Sequence, residues 1–177
     1  MSGTLYLCAT PIGNLGDITL RVIEILKTVD IIAAEDTRNT LKLLNHFEIK
    51  TPMTSYHQHN YAVKGPQLIE KLKAGENIAL VTDAGMPGIS DPGEDMAKRC
   101  REEGIPVTIA PGASAGISAL VLSGMDARRY VFEGFLPVDK KERAAVLKNL
   151  EKETRTTVFY EAPHRLTDTL AQLLKTA

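Results

Sequence analysis

With 177 residues, 44% of them hydrophobic and 24% charged, the chain has the composition of a folded globular protein rather than a disordered one. Its 21 Lys and Arg against 22 Asp and Glu exclude a globally basic nucleic-acid binder, so any RNA contact must come from a local patch. Two cysteines, Cys8 and Cys100, exclude a disulfide scaffold and a four-thiolate zinc site, and no apolar run approaches the length of a membrane span. No basic stretch precedes an apolar segment at the N-terminus, so the chain is expected to be cytoplasmic, with neither membrane nor metal as a partner.

Residues 3–9 read as a strand, and residues 10–16, with Pro11, Gly13 and Gly16, as a loop. Asp17 or Thr19 is placed to cap a helix in which Val22, Leu26 and Val29 recur at i, i+4 and i+7. Strand 30–34 ends in Glu35-Asp36-Thr37-Arg38 and leads into a helix carrying Leu41, Leu44 and Phe47. Residues 53–56 form a short strand, and a helix centred on Leu68, Ile69 and Leu72 closes at Gly75, a C′ glycine. After strand 77–82, three Gly and two Pro within residues 83–93 forbid regular structure, which makes that stretch a long shaped loop. Helix 94–103 stops at Gly104, and strand 106–110 follows. Pro111-Gly112 then turns the chain into a small-residue helix over 113–122, capped by Ser114 or an immediate neighbour. The remaining elements are strand 130–133, helix 140–153, strand 156–160 and helix 164–175, the last with Pro163 near its first position.

Alternating strands and helices specify an α/β fold with a largely parallel sheet, and such sheets bind ligands beyond the carboxyl ends of their strands. The loops beginning at Thr10, Glu35, Asp83 and Pro111 all follow strands, so they are expected to converge on one cleft. A composition shift near residues 111–116 divides the chain into domains 1–111 and 112–177.

The loop Thr10-Pro11-Ile12-Gly13-Asn14-Leu15-Gly16 lacks the first glycine of a dinucleotide fingerprint, and Pro11 intrudes, which disfavours NAD. In residues 83–93 glycines permit close ligand approach and prolines limit the entropy lost on binding, while Asp83 is placed to accept hydrogen bonds. The structural alternative is a plain connection with Asp91 as a helix cap. Pro111-Gly112-Ala113-Ser114-Ala115-Gly116 opens a helix, either as an anion-binding terminus or for close helix–sheet packing. Glu35 and Asp36 beside Arg38 suit a proton acceptor with an electrostatic partner, or a solvated surface cluster. Tyr56-His57-Gln58-His59-Asn60 offers too few ligands for zinc and suits a polar, substrate-facing loop. Glu161-Ala162-Pro163-His164-Arg165 starts a helix and holds three side chains able to serve in catalysis. No serine elbow, P-loop lysine or Cys-x-x-Cys is present, which removes hydrolase, NTPase and thiol-redox chemistry.

Ala9-Thr10-Pro11-Ile12-Gly13-Asn14-Leu15, Ala34-Glu35-Asp36-Thr37-Arg38, Ser55-Tyr56-His57, the stretch from Thr82 to Gly93 and Glu161-Ala162-Pro163-His164-Arg165 together resemble the tetrapyrrole-methylase superfamily. Within it they resemble the branch that methylates small-subunit ribosomal RNA. The resemblance spans essentially the whole chain. It implies two α/β domains with S-adenosylmethionine in the cleft between them, the second domain incomplete because family members run longer. It also implies a homodimer that transfers methyl to the ribose 2′-oxygen of a cytidine in the decoding region of 16S rRNA within the small ribosomal subunit. By motif, Pro11, Asp83, Gly85, Ile89, Ser90, Ser114, Ala115, Ala162 and Pro163 would hold the cofactor. Glu35, Asp36 and His164 are the candidates for proton handling, and Arg38, His57, Asn60 and Arg165 for RNA contact. A sibling enzyme acting on a small tetrapyrrole-like metabolite, and a cofactor-binding unit without turnover, are the alternatives.

Overall fold

A computed structural model of the chain describes residues 1–176. β1 (Leu5–Cys8), β2 (Ile31–Ala34), β3 (Met53–Ser55), β4 (Ile78–Val81) and β5 (Val107–Ala110) form a five-stranded sheet in the order β3-β2-β4-β1-β5. Every neighbouring pair is parallel, with Leu5 standing opposite Ile78 on one side and Val107 on the other. Parallel strands need crossovers, and α1 (Leu20–Thr28), α2 (Thr37–His46), α3 (Tyr61–Lys73) and α4 (Glu94–Glu102) supply them.

Side-chain alternation sorts the core into two layers. Val22, Ile25 and Leu26 of α1 and Leu44 of α2 pack with Cys8, Ile32, Ala34, Ala79 and Val81. Leu68, Ile69 and Leu72 of α3 and Met96 and Cys100 of α4 pack on the other face with Leu5, Ala33, Ile78 and Leu80. All four residues of β4 are buried, as expected for a parallel strand covered on both sides.

Local chemistry sets the helix limits. Thr19, one of the two expected caps, accepts a hydrogen bond from the Val22 N–H at 3.2 Å. Asp17 instead belongs to a 3-10 turn, Leu15–Asp17, whose cap is Asn14. In α2 the buried positions are Thr40, Leu43 and Leu44, while Leu41 is 47% exposed. The Asp36 cap fixes the start of α2, and from that start residues 40, 43, 44 and 47 share the inward face. Gly93, not Asp91, occupies the cap position of α4, so the structural alternative for Asp91 does not hold.

The chain divides into two compact units, Met1–Ser114 and Ala115–Ala177. The second unit comprises α5 (Ala115–Ser123), β6 (Tyr130–Phe135), α6 (Lys140–Leu150), β7 (Thr156–Tyr160) and α7 (Leu166–Leu173). β6 and β7 pair in parallel with a register shift between Phe132 and Gly134. That irregularity carries β6 two residues past its expected end at Glu133. Tyr160 anchors the unit, accepting from the Gly116 N–H at 3.0 Å and meeting Phe132 and Phe135 edge-on. The last helix begins later than its spacing suggests, because Pro163–Arg165 winds as a 3-10 turn ahead of Leu166. Among the described residues no helix is long and apolar enough to cross a membrane.

Gly3 precedes β1, and a Cβ there would stand 1.9 Å from the Glu76 carbonyl oxygen, whereas one at Gly104 would meet open space. Gly3→Ala should therefore cost about 3 kcal/mol through overpacking. Gly104→Ala, strained only by its φ of +66°, should cost about 1 kcal/mol. Urea unfolding of the two variants checks the order, and equal losses would contradict this packing at the amino end of the sheet.

Candidate functional site

Because the five strands run in parallel, their carboxyl ends share one rim. From that rim β1 and β2 lead to helices on one face of the sheet, and β4 leads to α4 on the other. The outgoing chains part at β2/β4 and at β4/β1, which is where open α/β sheets form ligand crevices. Two sets of hydrogen bonds join the loops there. At β4/β1, Thr10 N–H donates to the Gly85 carbonyl at 2.9 Å, Gly85 N–H returns to the Thr10 carbonyl at 3.1 Å, and Thr10 Oγ1 donates to the Thr82 carbonyl at 3.0 Å. Gly85 sits at φ +87°, and a Cβ there would press on Ile12 Cγ2 at 3.3 Å. At β2/β4, Asp83 N–H donates to Glu35 Oε2 at 3.2 Å and Asp36 N–H donates to Asp83 Oδ1 at 3.3 Å. Asn39 Nδ2 donates to Asp83 Oδ2 at 2.9 Å.

These carboxylates have unlike environments. Asp36 accepts from Arg38 Nε at 3.1 Å and Nη2 at 2.6 Å, and the Arg38 guanidinium holds its pKa down to about 2. Burial pushes Glu35 above the usual carboxylate range, with Asp83 and Asp36 adding repulsion. Asp91 has no hydrogen-bond or ion-pair partner among the described residues, and burial, then the charges of Glu35 and Asp83, raise it to about 6. A cavity of about 540 Å³ opens between these groups and α4, with Glu35, Tyr61, Ser90, Asp91, Asp95 and Lys98 on its walls. Below it the buried Tyr56 donates its hydroxyl hydrogen to Asp95 Oδ2.

The first unit brings most of the expected residues to this rim. Pro11, Asp83, Gly85, Ile89 and Ser90 lie on the loops after β1 and β4, and Ile89 is 44% exposed. Glu35, Asp36 and Arg38 lie at β2, and Ser114 ends the loop after β5. His57 and Asn60 follow β3, where Asn60 organises its own loop by accepting from the His57 N–H at 2.9 Å and donating to Ser55 Oγ at 3.1 Å. In the second unit Ala115 opens α5, and Ala162, Pro163, His164 and Arg165 follow β7. Arg165 is engaged there: its Nε donates to Glu161 Oε1 at 2.9 Å. Glu161 also accepts from Thr169 Oγ1 at 2.7 Å and from the Ala162 N–H at 2.8 Å, and these donors, Thr169 foremost, keep its pKa low.

The model of the tetrapyrrole (corrin/porphyrin) methylases matches residues 4–177. The chain belongs to the tetrapyrrole methylase family. It is 57% identical over 171 residues to a protein of Synechocystis sp. named ribosomal RNA small subunit methyltransferase I, covering 97% of this chain and 61% of that one. A protein of the same name from Halalkalibacterium halodurans is 54% identical, with 97% of this chain and 60% of the relative covered. One from Bacillus subtilis is 52% identical, with 97% and 59% covered, so the chain spans about three fifths of the length of these relatives. Among solved structures, diphthine synthase superposes with a TM-score of 0.78 at 15% identity, covering 98% of this chain and 73% of that one. Uroporphyrin-III-C-methyltransferase from Thermus thermophilus gives 0.66 at 20% identity, with 98% and 74% covered. Both likenesses establish a tetrapyrrole methylase fold.

Tyr61, Asp91 and Asp95 are the candidate site residues that spacing did not single out as functional. Tyr61 and Asp95 each lie in the first turn of a helix, and the fold alone turns both toward the same cavity. Asp91 yields a pH prediction. Its native pKa of about 6 exceeds the ordinary carboxylate value of roughly 4. The folded state therefore holds the extra proton between these values, and Asp91's contribution to stability is lost as pH rises through that window. Asp91→Asn should melt higher than the parent at pH 8 and gain little at pH 4. Thermal unfolding across pH tests this, and a variant destabilised equally at both values would contradict it.

Proposed function

We propose that this tetrapyrrole methylase transfers a methyl group from S-adenosylmethionine to the ribose 2′-oxygen of a cytidine in the decoding region of 16S rRNA, within the small ribosomal subunit. The observation that carries this reading is the 57% identity over 97% of the chain to a protein named for small-subunit rRNA methylation. By the family resemblance it acts as a homodimer, and its composition suits the cytoplasm.

The residues on the rim suit the cofactor. Gly13 sits at φ +137° with nothing within 4 Å of where a Cβ would project, leaving the backbone after β1 open to close approach. Asp83 offers exposed carboxylate oxygens to hydroxyl or ammonium groups, and Ile89 offers apolar surface on the same loop. With Pro11, Gly85, Ser90 and Ser114 they would hold the cofactor from the first unit; Ala115, Ala162 and Pro163 are the second unit's cofactor candidates by family resemblance alone. When bound, S-adenosylmethionine supplies an electrophilic methyl group on a sulfonium.

The chain itself must align the ribose oxygen and accept its proton. Alignment can contribute several kcal/mol, and a positioned base about 10²–10⁴-fold. Of the two carboxylate candidates, Glu35 is a better proton acceptor than Asp36, and His164 is the third candidate. The raised pKa of Glu35 makes it a stronger base than Asp36, and among the described residues no donor occupies its Oε1, whereas Arg38 holds both oxygens of Asp36. The Arg38 side chain is 87% exposed in that pair, so an RNA phosphate can compete for it at small cost. His57, Asn60 and Arg165 would complete the RNA contacts.

Labelled methyl transfer to small subunits lacking the modification is the test. Label should appear on 16S rRNA, and Glu35→Gln should lower the rate by about 10²-fold or more with cofactor affinity unchanged. Cofactor binding with no transfer to subunits or to free 16S rRNA would overturn the proposal.

A further inference from the structure

The cavity of about 540 Å³ contains more chemistry than proton transfer requires. Glu35, Asp91, Glu94 and Asp95 face a single lysine, Lys98, on its walls, so a phosphate is repelled and the RNA backbone must stay outside. What enters has to carry no negative charge and be rich in hydrogen-bond donors, as the edge of a base can be. Two carboxylates have acceptor oxygens to spare. Among the described residues Asp91 has no partner at either oxygen, and Asp95 accepts from Tyr56 and pairs with Arg99 at 3.8 Å through Oδ2, leaving Oδ1 unused. The buried Tyr56 hydroxyl also holds Asp95 in place. Tyr61 forms part of the same wall and is 40% exposed, which brings an aromatic side chain to the cavity.

An ionised carboxylate only accepts hydrogen bonds, and an exocyclic amino group carries two hydrogens in one plane. A keto oxygen at that position would face acceptor against acceptor. Aromatic stacking combined with a carboxylate on an amino edge is a recognised way to bind an unstacked base. We propose that Asp91 and Asp95 accept the two amino hydrogens of an unpaired base stacked on Tyr61, so that the cavity selects an amino-bearing base over a keto-bearing one. This rests on RNA being the substrate; it assigns the residues that select the base. Selection weakens when Asp91 takes up a proton, near pH 6.

Cytidine and uridine differ at this edge and serve as probes in an amide-resolved NMR titration of the whole chain at pH 7.5. Cytidine should shift the amides of Tyr61, Ser90 and Asp91 and bind at least tenfold more tightly than uridine. Asp91→Asn, which offers uracil a donor, should bring the ratio towards one. Tyr61→Ala should weaken both nucleosides about tenfold and leave their ratio unchanged. Equal binding of the two nucleosides, no binding of either, or a ratio that Asp91→Asn does not move would overturn the inference. Nucleoside selectivity without methyl transfer would sink the enzymatic proposal and leave base selection standing. Transfer with equal acceptance of both bases would do the reverse.

Discussion

Parallel pairing in the order β3-β2-β4-β1-β5 is the constraint on which the rest of the first unit depends. It places every strand's carboxyl end on one rim. Because α1 and α2 cover one face and α3 and α4 the other, it also opens the chain at β2/β4 and β4/β1. Glu35 and Asp36 on one side and Asp83 on the other are brought together although more than forty residues separate them. The Thr10–Gly85 pair closes the neighbouring crevice in the same way, by backbone bonds that fix the loop independently of any side chain.

Charge is handled differently in the two units. Glu161 in the second is surrounded by donors, and Arg143 extends that network by donating to Thr169 Oγ1 at 2.8 Å and to Gln172 Oε1 at 2.7 Å. A carboxylate satisfied in this way supports the fold. Asp91 in the first unit is its opposite, half-buried among like charges without a donor, and a fold selected for stability alone would not retain it. The two cysteines belong with the structural groups: burial pushes Cys8 up to about 12 and Cys100 up to about 11, which keeps both as inert thiols in the core.

Much of the fold was legible because its signals are local. Thr19, Gly75 and Gly104 mark helix ends by their own chemistry, and the buried run at residues 78–81 needs no partner to be recognised as a strand. That Leu43 is buried and Leu41 exposed was not legible, because spacing alone leaves the phase of a short amphipathic helix open, and only the Asp36 cap settles it. Glu35, Asp36 and Asp83 were legible as carboxylates at strand ends. Their mutual hydrogen bonds depend on strand order, which no local pattern contains. Tyr61 and Asp95 were hidden for the same reason, since α3 and α4 meet around the cavity only after the sheet has formed.

On the proposed reading the carboxyl rim of the sheet, and no other surface of the first unit, receives the cofactor. Amide NMR of the chain titrated with S-adenosylmethionine tests it directly. Shifts should concentrate at Gly13, Asp83, Gly85 and Ile89. Shifts confined to the amino end of the strands, around Gly75, Asn77 and Ile105, would contradict the account.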